Sequence, residues 1–322
     1  MVLITGCNSL LGKTLAQRFM QQNIPVRGLD FWKLKDSPAV TEFVEGNILD
    51  HELVQGACKG VDTVIHLMDI ENSSHYGRRF MKKINVKGTD FLLHIARDNE
   101  VKKFVFLSSA KVFGKPKTVP VGEDDAVKPN SAYGRDKLKA EKLCLSYAEK
   151  EGMNLTVFRP TTITGPGLDD SMILVILYMA LGMEDSNRLY IAGDGSSRFQ
   201  LVHPDDVADA ILLSMRTESS RGKVYNLGSD SVPTQAEEVQ RVKELASLNC
   251  QVKHITSLFT KILSFVLRPL NISYLRKEHL LFILSNFLMD CDRAKGELGW
   301  KPAKDNVQMF VETIKWYREK KL

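Results

Sequence analysis

From residue 2 to about residue 160, short apolar runs rich in β-branched residues alternate with longer stretches of helical spacing. VLIT leads into GKTLAQRFMQQ. PVRGLDF, FVEGNI, ELVQGACKG, TVIHLM and INVKGTDFLLHIARD come next, then KFVFLSS, the long SAYGRDKLKAEKLCLSYAEKEG, and LTVFRPT. Strands that alternate with helices build βαβ units, and right-handed crossovers make a doubly wound parallel α/β sheet the expected fold class. Runs such as FVFLSS and TVIHLM lack polar alternation, as strands covered on both faces require.

The rhythm changes after Gly165. GPGLDDS reads as a loop, IAGDGSSRFQ as a turn entering a strand, and DDVADAILLSM as a helix opened by aspartates. KVYNLG then reads as one more buried strand, so the chain leaves the sheet, returns and leaves again. No repeat or low-complexity segment interrupts it. Composition narrows the function classes. The net charge of +5 comes from lysines and arginines spread along the chain, which argues against a nucleic-acid surface. Five cysteines with no CxxC spacing argue for a reducing compartment and against a disulfide or zinc framework, so no metal is expected. MVLITG already reads as a strand, leaving no room for a signal peptide, and a cytoplasmic location is expected. MILVILYMALGM is too short to cross a bilayer, and LFTKILSFVLRPL is broken by Lys261, Arg268 and Pro269, so no membrane span is expected.

Residues 5 to 13, TGCNSLLGK, join the first strand to the first helix. In such turns one glycine makes the bend, a second admits a pyrophosphate and a third lets helix pack on strand. Gly6 and Gly12 keep the outer roles. Ser9 takes the middle place, where its hydroxyl is positioned to donate to a phosphate oxygen. The helix that begins near Leu10 and Leu11 offers free N–H groups to an anion. Asp30 ends the second strand at the spacing of an acceptor for the adenosine ribose hydroxyls, and its charge repels a 2′-phosphate. The expected cofactor is therefore NAD rather than NADP, with Lys33 and Lys35 nearby as a counterweight. Two parts of the chain are expected: residues 1–165 with 200–228 as an NAD-binding Rossmann domain, and residues 166–199 with 229–322 as a smaller, interleaved substrate domain.

Tyr133 and Lys137 stand at i and i+4 in AYGRDK, so both leave one face of a helix. An ammonium beside a phenol favours the phenolate and suits proton exchange with an alcohol or ketone. Ser108 and Ser109 end the strand FVFLSS at the edge where ligands of such sheets bind, and Ser109 is placed to hold the reacting oxygen.

These motifs, in order with EGNILD, VIHL, NVKGT, SSAKVFG, FRPTTITGPG, LVHPDDVADAI, VYNLGS and ELGWKP, run nearly end to end. Together they resemble the extended short-chain dehydrogenase/reductases, a group that includes NAD-dependent epimerase/dehydratases, 3β-hydroxysteroid dehydrogenases and dihydroflavonol reductases. The resemblance implies a catalytic trio of Ser109, Tyr133 and Lys137, with Lys137 also on the nicotinamide ribose. It implies Asn47 and Ile48 beside the adenine, His66 and Leu67 lining the cofactor, Asn85 supporting the active-site helix, and Pro160 of FRPT close to the nicotinamide. A homodimer through the helices of NVKGT and AYGRDK is implied as well. Three places depart from the family pattern: Ser9, Phe113 for a frequent tyrosine, and Thr161 with Thr162 where nucleotide-sugar enzymes commonly carry an asparagine. Arg198 is a candidate phosphate grip.

The leucine- and phenylalanine-rich stretch 258–289 reads first as packing of the small domain and alternatively as an apolar substrate pocket; with the departure at Thr161 it tilts the reading toward hydride transfer at a secondary alcohol or ketone by a dehydrogenase or reductase, on an apolar substrate. Two alternatives stand beside it: a nucleotide-sugar epimerase or dehydratase that keeps its NAD, and a non-catalytic NAD-sensing or scaffold protein. Retention of both Tyr133 and Lys137 weighs against the last.

Overall fold

The computed structural model describes residues 1–34, 38, 40–71, 76–168, 188–256 and 286–321. Seven strands, all parallel, form the central sheet: β1 (Val2–Thr5), β2 (Val26–Asp30), β3 (Glu42–Glu45), β4 (Thr63–His66), β5 (Lys103–Leu107), β6 (Leu155–Pro160) and β10 (Lys223–Leu227). Their spatial order is β10-β6-β5-β4-β1-β2-β3. The chain starts at β1, builds outward to β3, then crosses back to β4 on the other side. The crevice at the carboxyl ends of β1 and β4 is thus the place where winding reverses, the usual ligand position in such sheets. Thr5 pairs with His66 across that junction and with Leu29 on its other side.

Helices cover both faces, as the apolar strands require. On one face α1 (Leu10–Gln21), α6 (Pro204–Arg216) and α8 (Asp292–Leu298) pack Leu15, Phe19, Ile211 and Leu298 onto Ile4, Ile65, Val105 and Phe158. On the other, α2 (His51–Cys58), α4 (Thr89–Asp98) and α5 (Ala132–Lys150) pack Val54, Leu92, Leu93 and Cys144 onto Leu3, Val64, Phe104 and Phe106. Adjacent strand residues serve opposite cores, which is why these strands show no polar alternation. Helix α3 (Gly77–Lys82) runs through a π-helical turn, Lys83–Gly88, directly into α4. The segment therefore begins its helix before the expected INVKG, and the extra residue of the π-turn re-aims α4 relative to α3.

Local chemistry sets the ends. Ser131 caps α5 by accepting the Gly134 N–H at 3.0 Å. Pro204 opens α6, with Asp205 and Asp206 in its first turn. Short strands outside the sheet pair in parallel: β7 (Thr162–Ile163) with β9 (Leu201–Val202), and β8 (Arg188–Ala192) with β11 (Gln251–Ile255). Helices α7 (Gln235–Leu245) and α9 (Asn306–Lys321) share a third core through Val242, Val307, Phe310 and Ile314. Among the described residues no helix is long and apolar enough to cross a membrane. MILVILYMALGM lies outside the described residues.

Candidate active site

The turn after β1 is tightly packed at both outer glycines. Gly6 has a φ of +73°, and a side chain there would meet the Met68 backbone at 2.7 Å. A Cβ on Gly12 would stand 2.6 Å from the Gly6 carbonyl oxygen, so α1 packs on the turn only because neither has a side chain. Ser9 differs from the phosphate-donor role assigned to it. Its hydroxyl donates to the Gly6 carbonyl at 2.8 Å and accepts the Gly12 N–H at 3.1 Å. It is the N-cap of α1, and the serine thereby holds the turn that the missing glycine would have left more open. Leu11 is buried in the core and Leu10 half-buried against the third core.

Asp30 ends β2 beside that turn. Its carboxylate accepts N–H groups from Asn8 and Phe31, each at 2.9 Å. Burial pushes its pKa up, and those two N–H groups pull it back. Lys33 points elsewhere, with its ammonium 5.7 Å from the centre of the Phe43 ring. Lys35 lies outside the described residues. The side chain of Asn47 accepts the Leu49 N–H at 3.0 Å, and Ile48 is fully buried. The donor set suits a dinucleotide: N–H groups at a helix start for phosphates, and a carboxylate at a strand end for a ribose diol.

His66 is a strut. Its Nδ1 lies 2.7 Å from the Thr5 hydroxyl and its Nε2 lies 3.0 Å from that of Thr89. The Thr89 proton is engaged with the Asn85 carbonyl, so Nε2 carries the ring proton and Nδ1 accepts from Thr5. Burial, then the Lys137 charge, drives the ring pKa down to about 3, which keeps it neutral. The backbone of Leu67 and Met68 passes close to Gly6. Asn85, inside the π-turn, clamps the chain beyond β4: its Oδ1 accepts the Ile70 N–H at 2.7 Å and its Nδ2 donates to the Ile70 carbonyl at 2.9 Å. Asn85 thus anchors the segment leaving β4, as well as the helix it sits in.

Across the crevice α5 presents Tyr133 and Lys137. The Tyr133 hydroxyl donates to Asp69 Oδ2 at 2.7 Å, and the Lys137 ammonium meets that same oxygen at 2.6 Å. Lys137 is buried, donates to the Leu107 carbonyl at 2.7 Å, and lies 5.8 Å from the Tyr133 ring centre. Ser109 comes after β5 and opens the turn Ala110–Val112, where its Oγ accepts the Lys111 N–H at 3.2 Å. That turn presses on α5: a Cβ on Gly134 would stand 2.4 Å from the Lys111 carbonyl. The close approach places Ser109 and Tyr133 on adjoining elements at one edge. Ser108 faces the other way, donating to buried Glu141 at 2.7 Å, which pairs with Arg159 at 2.6 Å. The Ser108 hydroxyl is thus committed to Glu141, which leaves Ser109 as the candidate of the two. Pro160 ends β6, and Thr161 comes directly after it with a buried hydroxyl.

The sequence motifs did not point to Asp69 and its neighbours. Glu71 pairs with Lys111, whose ammonium is 5.4 Å from the Tyr133 ring centre, and Arg78 grips buried Asp136 by two bonds of 2.6 and 2.7 Å. The available signal for Asp69 was an acid just past the carboxyl end of a buried strand, the edge where ligands bind.

A winding reversal with an anion-ready turn on one side and a phenol with an ammonium on the other is the layout of dinucleotide-dependent oxidoreductases. Residues 2–228 match the NAD dependent epimerase/dehydratase family, and the chain belongs to that family. NAD is the family's cofactor, as Asp30 led us to expect. The chain is 28% identical over 287 residues to a dTDP-glucose 4,6-dehydratase of Streptomyces antibioticus, covering 88% of this chain and 78% of that one. It is 25% identical over 342 residues to a UDP-glucose 4-epimerase of Lactobacillus helveticus, covering 98% and 97%. Among solved structures, MoeE5 in complex with UDP-glucose and NAD superposes with a TM-score of 0.78 at 24% identity, covering 100% of this chain and 99% of that one. The nucleotide-sugar alternative therefore has better support than the dehydrogenase on an apolar substrate. The apolar stretch behind the latter falls largely on residues 258–285, outside those described.

Proposed function

We propose that the protein moves hydride from and back to a secondary carbinol carbon of a nucleoside diphosphate sugar, as an epimerase or dehydratase that retains its NAD. The observation that carries this reading is the convergence of Tyr133 and Lys137 at the crevice mouth. The dehydratase and epimerase relatives support the substrate class. When bound, the nicotinamide supplies the hydride acceptor and donor. Tyr133 exchanges the proton of the sugar hydroxyl, Ser109 hydrogen-bonds the same oxygen, and Lys137 supplies positive charge beneath the phenol while holding a ribose hydroxyl. Asp30 takes the adenosine ribose diol, and the start of α1 takes the diphosphate. Residues 166–199 and 229–322 would then hold the sugar nucleotide, with exposed Arg198 as a grip for its phosphates.

The test is to incubate the purified chain with UDP- and dTDP-hexoses and monitor epimer or keto-sugar products. Turnover that falls about 100-fold or more in Tyr133→Phe, with nucleotide still bound, supports the reading. No product from any nucleotide sugar, or full turnover in the variant, overturns it.

A further inference from the structure

A carboxylate stands where a phenol and an ammonium meet. Asp69 Oδ2 takes the Tyr133 hydroxyl at 2.7 Å and the Lys137 ammonium at 2.6 Å, with the Asp69 side chain 22% exposed and Lys137 2% exposed. Its position is imposed rather than incidental, because the adjoining Ile70 is held at both N–H and C=O by Asn85. An ammonium alone favours phenolate, whereas a carboxylate that accepts the phenol proton favours the neutral phenol. At 2.6 Å the opposite charges of Asp69 and Lys137 largely cancel as seen from Tyr133.

Further charged and titratable groups lie on the elements packed about α5. Lys111 from the turn after β5 is paired with Glu71. Asp136, on α5 itself, is paired with Arg78 of α3. His66 beneath is held neutral. Among these groups Asp69 is the carboxylate that takes the phenol hydroxyl, and it also holds the Lys137 ammonium.

We infer that Asp69 is a positioning residue of the active site, holding the Tyr133 hydroxyl in place and offsetting the Lys137 charge beside it. This rests on Tyr133 being the proton-transfer group of the proposed function. It adds a carboxylate that raises the pH at which Tyr133 loses its proton, relative to a phenol beside an unopposed ammonium.

The experiment is an ultraviolet titration of phenolate on the full chain with NAD present. Subtracting the Tyr133→Phe curve isolates Tyr133 from the other tyrosines. With Asp69→Asn, which keeps the size and loses the charge, Tyr133 should ionise about one pH unit or more lower than in the wild type. The acid limb of kcat/KM should move the same way, while Asp69→Glu should stay near the wild-type curve. Asp69→Ser repeats the measurement should the Asn variant fold poorly. A Tyr133 titration that is the same in the wild type and the neutral variants overturns the inference. Failure of the proposed function shows separately, as a wild type that turns over no nucleotide sugar, because the titration needs no turnover.

Discussion

Asp30 is the residue on which the choice of cofactor turns. It is fixed by two N–H groups from Asn8 and Phe31, so its carboxylate cannot easily swing away from a ribose at that position. A 2′-phosphate brought there meets a like charge and displaces those bonds. A ligand that binds the folded state raises the melting temperature with its affinity. NAD should therefore stabilise the wild type more than NADP at equal concentration, and Asp30→Ala should narrow that gap. Equal or greater stabilisation of the wild type by NADP would reverse the assignment. The sequence singles out Asp30, Gly6, Gly12, Tyr133 and Lys137 because each belongs to a short motif whose spacing within one element carries its meaning. Asp69 is not singled out. It lies 64 residues before Tyr133 in the chain, and only the return of the chain to α5 after β5 brings the two together. The role of Ser9 was legible in place but not in chemistry, since a hydroxyl that can donate to a phosphate can equally cap its own helix.

At the scale of elements, the π-helical turn Lys83–Gly88 decides how the exit of β4 is held. It carries Asn85 inward, where both ends of the amide are bonded to buried Ile70. Removing that amide leaves a buried N–H and a buried C=O without their partner, and each such loss costs about 1 to 3 kcal/mol. Asn85→Ala should lower the urea midpoint with little change in slope, and turnover should fall further than stability alone explains, because Asp69 loses its anchor. A midpoint equal to that of the wild type would show the clamp to be slack. The alternation of strands and helices was legible because both faces of a parallel sheet are buried, which strips polar residues from the strands and leaves a plain contrast with amphipathic helices. The π-turn was not, since one inserted residue has no compositional mark. Nor were the two-residue strands β7 and β9, too short to show a period.

Across the whole molecule, the two ends of the sheet carry different work. Asp30, His66 and Pro160 end their strands at the carboxyl edge, and Ser109 follows β5 there. At the opposite end of β5, Lys103 is buried with its ammonium bonded to Asn154 at 3.1 Å, Thr156 at 2.9 Å and Ser220 at 2.8 Å. These neutral oxygens solvate the charge incompletely, and burial brings the amine down from 10.5 to about 8, with Glu218 pulling it part of the way back. The folded chain therefore binds fewer protons at this residue than the unfolded chain between about pH 8 and 10.5. Unfolding then takes up a proton in that window, so stability attributable to Lys103 rises with pH through it, and the burial cost is present in full below it. Lys103→Met has no such titration. The wild type should gain stability relative to the variant as pH goes from about 7.5 to about 10, measured as the difference between their urea midpoints, in which other titrating groups cancel. A difference independent of pH would mean that the amine is solvated as in the unfolded chain. The strand rises about 13 Å from Lys103 to Leu107, whose carbonyl holds Lys137. The variant should therefore bind NAD and turn over substrate as the wild type does at a fixed pH, since the sheet transmits position between its ends but little of their electrostatics.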